Sequence, residues 1–588
     1  MTILAALARA YDRLADRREV PPFGYARTTI GFCVVLAPDG RPAFLPVDLR
    51  DGSGKRMVGA RLNVPTPLVQ RTSGIAPNFL WDKTAYSLGV TAQEGKRTAL
   101  EHRAFVAFNR AAIASSHDGG LRTFALFLDK WQPSDFLALG WPEEMKDENV
   151  VFALEDTYRE DFLHERPAAM DIWPTLLTKD GASEAVCLIT GERSRIARSH
   201  FPIKGVWDAQ SSGAYLVSYN ASAFESYGHK EGDNAPVSEA AAFAYTSALN
   251  RMLERDSPNR IQIGDASTVF WADASGAEVS HQVVEAGFGR MMGATRIDEG
   301  GQDNKIRPVL ERLQAGEPTD FDLALFKGVR FHVLALAPNA ARLSVRFWLD
   351  DDFGEVARHY TRHVQAMRIA PPPREGAPSI WRCLIETAVL RKSENIPPNL
   401  AGEWLRAILT GRPYPRTLLA TVLMRIRADG DVNALRVAML KAVLIRNARK
   451  EVPVSLDPDN TAQGYLLGRL FATYERIQTE ALPGLNATIR DKFYGSASAT
   501  PRKTFPVLDR GSANHLAKLA KDKKGYAVVL ERLLMSIMEH LNPDEDPFPA
   551  FLAAEQQSLF AVGYYHQKHE FFRRKDGSFA TGTKEAAQ

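Results

Sequence analysis

The chain has 588 residues, 45% hydrophobic and 24% charged, with a formal net charge of +3 and three cysteines. That length predicts about three domains, because single cores stop growing beyond ~250–300 residues, and the composition is that of a globular protein. No apolar run approaches the ~18 residues a membrane span needs, and Cys33, Cys187 and Cys383 lie too far apart for a disulfide framework or a Cys-x-x-Cys zinc site. The expected location is cytoplasmic, with free thiols.

The first segment, MTILAALARAYDRLADRR, meets Asp12 and Arg13 early and lacks a basic leader, so it predicts an amphipathic helix at 2–18 and not a signal peptide. Strand-like runs follow at 31–36 and 43–47, with PDG and DGSG turns. A helix is predicted over 96–114, and the apolar residues of 121–128 predict a buried strand. Residues 215–272 read as a strand, a long polar loop from Asn220 to Val237, a helix and a second strand; loops of this length are usually functional. The runs 329–337 and 342–349 flank Pro338-Asn339-Ala340 as a hairpin.

The prolines of 371–378 (PPPREGAP) mark a linker, since they exclude helix. Beyond it, helical periodicity recurs at 381–392, 399–409, 415–427, 432–449, 461–482, 512–541 (broken at Gly525) and 550–565. The predicted fold class is therefore an α+β N-terminal body, with mixed or antiparallel strands and helices, followed by an all-α helical-bundle C-terminal domain. The predicted domains are 1–212 (α+β), 213–370 (α+β with the hairpin), the linker 371–378, and the bundle 379–588.

Charge is unevenly distributed. From Arg374 onward there are 31 Lys/Arg against 23 Asp/Glu; the preceding residues carry 42 against 47. Such asymmetry points to an anionic partner for the basic half. Two groups carry it: Arg436, Lys441, Arg446, Arg449 and Lys450, and then Arg502, Lys503, Lys518, Lys521, Lys523 and Lys524. Lys518, Lys521 and Lys524 recur every third residue and are expected on one helical side, where they would bind phosphates through counterion release. A small-residue loop at 495–500 is expected to add hydroxyl donors.

Motifs for catalysis are weak. His117-Asp118 has the residue pair of metal-dependent phosphohydrolases but lacks recognisable companions, and a turn with Asp118 bonded to local backbone is the better reading. Gly52-Ser53-Gly54-Lys55 resembles the end of a phosphate loop, yet Arg56 stands where Ser/Thr is needed. His566 and His569 lack matching ligands and read as part of a basic helix end. No catalytic residue, metal ligand or cofactor is expected.

Two donor-rich loops remain. Gln70, Arg71, Thr72, Ser73, Asn78 and Lys83 sit on a Gly/Pro-constrained stretch with side chains suited to base edges. The alternative is a surface loop anchored by Phe79 and Trp81. Asn220, Gly228, Lys230 and Asn234 mark the second loop, expected to dock a subunit or guide, or to touch duplex.

Four stretches together resemble a known family: 71–80 (RTSGIAPNFL), 216–238 (LVSYN, AFESYG and NAPVS in order), 462–470 (AQGYLLGRL) and 562–567 (VGYYHQ). They resemble the large subunit of type I-C CRISPR Cascade, the Csd family of CRISPR-associated proteins. The resemblance implies a non-catalytic subunit of an RNA-guided interference complex that recognises the protospacer-adjacent motif, promotes duplex opening (the R-loop) and holds the non-target strand. It implies as partners the guide-RNA-bearing backbone subunits, the subunit capping the guide's 5′ handle, double-stranded target DNA and a recruited helicase–nuclease. It also implies small subunits, which the C-terminal bundle resembles and which internal initiation, with Met424 and Met439 as candidates, can supply. The rival expectation is an HD-type metal-dependent nuclease or phosphohydrolase of the same defence pathway, built on His117 and Asp118.

Overall fold

A computed structural model describes residues 1–52, 57–67, 74–93, 95, 97–177, 183–273, 280–293, 307–373, 379–574 and 579. The chain divides into two compact units, 1–204 with 212–251, and 205–211 with 252–588.

The first unit contains α1 (Ile3–Asp16), β1 (Tyr25–Ile30), β2 (Phe32–Leu36), β3 (Val47–Asp48), β4 (Ala60–Pro65), β5 (Trp81–Lys83), α2 (Thr84–Ser87), α3 (Thr98–Ile113), α4 (Gly119–Lys130), α5 (Asp135–Ala138), β6 (Asn149–Leu154), α6 (Pro167–Leu177), β7 (Glu184–Val186), β8 (Arg193–Arg195) and α7 (Glu239–Met252). A four-stranded sheet runs β3-β2-β6-β5, with β2 and β6 parallel and the outer pairs antiparallel. All five residues of β2 are buried because apolar side chains cover both faces. Phe32, Val34 and Leu36 pack with Phe105, Phe124 and Phe127 of α3 and α4, while Cys33 and Val35 pack on the other side with Ile30, Val64 and Trp81.

The segment 121–128 is helical, contrary to the strand expected there. Leu121, Phe124, Phe127 and Leu128 are its buried positions, a three-to-four residue spacing that fits one face of a helix. Asp118 caps it, accepting from the Leu121 amide at 2.9 Å. Residues 215–219 form no strand either. Ser238 and Glu239 do open α7, Ser238 Oγ accepting from the Ala241 amide at 3.2 Å.

The second unit contains β9 (Arg260–Ile263), β10 (Ala266–Asp273), α8 (His281–Met291), α9 (Arg307–Ala315), α10 (Asp320–Ala324), β11 (Arg330–Asn339), β12 (Arg342–Asp352), α11 (Phe353–Met367), α12 (Ile380–Thr387), α13 (Pro398–Thr410), α14 (Arg416–Asp429), α15 (Ala434–Ala448), α16 (Gln463–Ala481), α17 (Ile489–Ala499), α18 (Pro501–Asp522), α19 (Lys524–Glu539) and α20 (Ala554–Glu570). Its antiparallel sheet runs β12-β11-β10-β9, the β11–β12 hairpin being the one read from the sequence. Phe270, Phe331 and Phe347 on one face meet Phe288 and Phe353 of the flanking helices.

The α+β and all-α regions expected from the sequence are both present, and residues 374–378 of the expected linker 371–378 lie outside the described residues. Ile369 before it and Ile380 after it belong to one apolar cluster that reaches from the sheet to Tyr565 in α20. The Tyr565 hydroxyl donates to the Pro371 carbonyl at 2.7 Å. Prolines mark where the chain cannot be helical, and here that point lies against the core.

Two of the recognised stretches form one helix crossing. A methyl group on Gly468 would meet the Phe560 carbonyl at 2.1 Å, and one on Gly563 would meet that of Tyr465 at 2.1 Å. Glycine in GYLLG and VGYYHQ thus lets the α16 and α20 backbones touch, and these motifs carry packing. The small residues of 495–500 are helical as far as Ala499, since Thr488 and Asp491 form a capping box for α17.

Candidate nucleic-acid interface

The first loop is only partly accessible. Gln70, Arg71, Thr72 and Ser73 lie outside the described residues. Asn78 is buried, at 6% exposure. Its amide donates to Asp82 Oδ2 at 2.9 Å and its carbonyl accepts from Asn109 Nδ2 at 3.0 Å. Asn109, buried in α3, also accepts from the Leu80 amide at 2.8 Å, where Leu80 takes a φ of +61°. Phe79 stacks on Trp173 at 5.7 Å. Residues 78–82 are therefore locked into the core, which corrects Asn78 from a surface donor to a buried structural residue. Lys83, closing β5, is exposed.

The second loop is built differently. Every residue from Asn220 to Lys230 is exposed, while its base is pinned to the β7–β8 hairpin. Leu188 donates its amide to the Pro236 carbonyl, Ala197 to Val237, and Gly232 to Arg198. A methyl group at Gly232 would meet the Ala197 carbonyl at 1.9 Å, so only glycine permits this approach. The Asn234 side chain spans the loop: its Oδ1 accepts from the Ser226 amide at 3.0 Å, and its Nδ2 donates to the carbonyls of Glu231 at 2.9 Å and His229 at 3.3 Å. Asn234 is thus an organiser of the loop. Glu231 pairs with Arg198 and Asp233 accepts from Ser183 Oγ. Gly228 and Lys230 stand at the exposed tip, and Asn220 at its start.

Beneath the loop, Cys187 Sγ accepts from the Ser238 amide at 3.2 Å and the Ile189 amide at 3.4 Å. Burial pushes this thiol up, but hydrogen bonds from Ser238 and Thr190 pull it down further, to about 7.

The two basic groups part company. Arg436 is fully buried, paired with Glu386 at 3.0 Å and Asp429 at 2.5 Å. Lys441 is 2% exposed; its Nζ donates to the Ala366 carbonyl at 3.2 Å and burial lowers it to about 8. Arg446 donates to the Ala407 carbonyl at 2.9 Å and lies 4.2 Å over the Tyr414 ring. Lys450 pairs with Glu555 at 3.0 Å, leaving Arg449 exposed at the end of α15. Arg436 and Lys441 are therefore internal, and the expectation that they meet DNA is corrected: polar partners within the bundle had no sequence signature.

In the second group Arg502 pairs with Asp546 at 2.6 Å and Lys523 with Glu480 at 2.8 Å. Lys503, Lys518, Lys521 and Lys524 are exposed, with no ion-pair partner among the described residues. Lys523 interrupts the helix, so Lys524 begins α19 and does not share one helical side with Lys518 and Lys521.

The weak motifs resolve structurally. Asp118, besides capping α4, takes both Nε and Nη2 of Arg166 at 2.9 Å; these hydrogen bonds hold its carboxyl below the usual range. Ser53, Gly54 and Lys55 lie outside the described residues. His566 is buried against the Tyr465 hydroxyl at 3.0 Å, which corrects its reading as part of a basic helix end. Among the described residues no group of three or more His, Cys, Asp or Glu is arranged to hold a metal ion, and no helix is long and apolar enough to cross a membrane.

One feature escaped sequence reasoning: Tyr227, 98% exposed. Its only local signal was Gly228, which enters the left-handed backbone region without steric cost. The family model described as CRISPR-associated protein (Cas_Csd1) matches residues 7–572. No curated protein matches the chain. With the match spanning both units and all four recognised stretches, the chain belongs to the Csd family of CRISPR-associated proteins, the large subunits of type I-C Cascade.

Proposed function

We propose that this Cascade-type protein is the non-catalytic large subunit that recognises the protospacer-adjacent motif in target DNA, promotes duplex opening and holds the displaced non-target strand. The family match over 7–572 carries the reading. In systems of this kind guide pairing tests the sequence, while protein reads the adjacent motif and the backbone. The exposed cations Lys503, Lys518, Lys521 and Lys524 support a phosphate-binding role. For inspection of the motif, Lys83 and the stretch 70–73 remain candidates on the first loop. Asp118 is occupied by its helix cap and by Arg166, which argues against the HD-type reading.

Co-expression with the other Cas subunits and a guide tests this. The chain is expected to co-purify with guide RNA and backbone subunits, and the complex to shift duplexes bearing one adjacent motif over those lacking it. Binding indifferent to that motif would remove the recognition role. Metal-dependent cleavage by the isolated chain, abolished by His117→Ala with Asp118→Ala, would restore the nuclease reading.

A further inference from the structure

Tyr227 and Gly228 take φ of +52° and +79°, two successive residues in the left-handed region, as in a hairpin turn of the I′ type. The His229 amide closes the turn on the Ser226 carbonyl at 2.9 Å, and Asn234 holds the Ser226 amide and the His229 carbonyl from below. Turns of this type favour Asn or Gly at the first position, and an aromatic residue there is strained. The strain gains no packing, because the ring is 98% exposed. A large apolar ring is thus fixed in water by a braced backbone, an arrangement that contributes nothing to folding.

Its surroundings select among partners. Of the acidic residues near the tip, Glu231 is engaged by Arg198 and Asp233 by Ser183, while Glu225 is exposed with no ion-pair partner among the described residues. Lys230, three residues on in the chain, is exposed without an ion-pair partner among the described residues. A stable protein interface needs roughly 800 Å² per partner, and apart from Tyr227 the tip presents only Phe224, at 38% exposure, as a large apolar side chain. A single planar ring open on both faces, with a cation three residues on, suits a nucleobase: stacking needs only a π-face and tolerates any base, while the ammonium meets the adjoining phosphate.

We propose that Tyr227 is a stacking element for a DNA base exposed at an opened or frayed duplex, with Lys230 on the neighbouring phosphate. The assignment rests on the proposed DNA-binding function and adds to it a specific contact. The test uses the assembled complex with guide RNA and target duplexes carrying 2-aminopurine at single positions beside the adjacent motif. Wild-type complex is expected to change the fluorescence of one such position on binding. Tyr227→Ala should abolish that change and weaken duplex binding about 5- to 100-fold, with subunit and RNA content and melting temperature unaltered. Tyr227→Phe and Tyr227→Trp should retain the signal. Loss of partner subunits from the Tyr227→Ala preparation would overturn the proposal in favour of a protein contact. Unchanged fluorescence and affinity in Tyr227→Ala, beside a wild type that binds, sinks this proposal alone. A wild-type complex that binds no duplex defeats the proposed function and the stacking role together.

Discussion

The cations of α14–α15 and those of α18–α19 look alike in the sequence and have opposite fates. In the first set Arg425, Arg436 and Lys441 lie between helices and spend their charge internally, while Arg416, Arg427 and Arg449 stay at the surface. Arg425 and Arg436 share Asp429, while Arg391 bridges Glu386 and Asp431. The second set stands on exposed helix surfaces and keeps several charges open to solvent. A cluster of Lys and Arg therefore indicates a phosphate surface only where no carboxylate can fold onto it, and that depends on residues distant in sequence, such as Glu386 beside Arg436.

The strongest way to break this contrast is to remove the centre of the internal network. Arg436→Ala leaves the buried Glu386 and the more exposed Asp429 each short of one cation, with Arg391 and Arg425 still paired to them, so the cost should lie near the low end of the about 3–5 kcal/mol for breaking a buried pair. Urea denaturation should show that loss. A cost below 1 kcal/mol would mean that Arg436 belongs with the surface cations after all.

Acid should expose the same difference. Burial lowers His363 to about 3 and His566 to about 4, below the ordinary 6.5, and each is hydrogen-bonded to a tyrosine hydroxyl, His363 to that of Tyr414 at 2.7 Å and His566 to that of Tyr465. A histidine depressed in the folded state contributes stability that is full above pH 6.5 and lost as pH falls toward the folded value. Between pH 6.5 and 5 each should cost about 2 kcal/mol. Asp429 and Asp431 are raised by burial but lowered further by their hydrogen-bond partners, below 3.8, so they act only beneath this window. Denaturation midpoints measured from pH 7.5 to 5 should fall, and His363→Gln should flatten the curve. A flat wild-type curve would show that these imidazoles charge freely.

Glycine substitutions sharpen the comparison by position. Gly468→Ala drives a methyl into the Phe560 carbonyl at 2.1 Å and should cost about 1–3 kcal/mol. Gly511→Ala, in α18 with nothing within 4 Å of the new methyl, should instead stabilise by about 0.5–1 kcal/mol. Equal thermal shifts from both would refute the close α16–α20 crossing.

Periodicity made the helices of the second unit and the β11–β12 hairpin legible, because their apolar spacing reflects one buried face each. It misled at 121–128, where an apparent alternation of apolar residues suited a buried strand, and the decisive Asp118 cap lies just outside the run. The site was harder to read. Asn78 has the chemistry of a base reader, yet its role follows from Asn109, 31 positions on, a pairing no local pattern announces. The Asn220–Val237 loop was identifiable from length and polarity. Its rigid tip was not, since the Asn234 brace and the outward Tyr227 are consequences of backbone geometry.

The smallest effect on stability belongs to the exposed lysines, and it is the most informative for function. Lys518, Lys521 and Lys524 have no ion-pair partner among the described residues, so changing all three to Gln should leave the unfolding free energy within about 0.5 kcal/mol. Lys523, paired with Glu480 at 2.8 Å, is left in place so that no carboxylate is freed. If these three meet phosphates, affinity for DNA should fall irrespective of sequence, and the slope of log K against log salt should shrink by up to about 2–3. An unchanged slope in a stable variant would place the non-target strand on another face. The internal set offers no such separation, because Arg436 cannot lose its charge without the fold losing stability first.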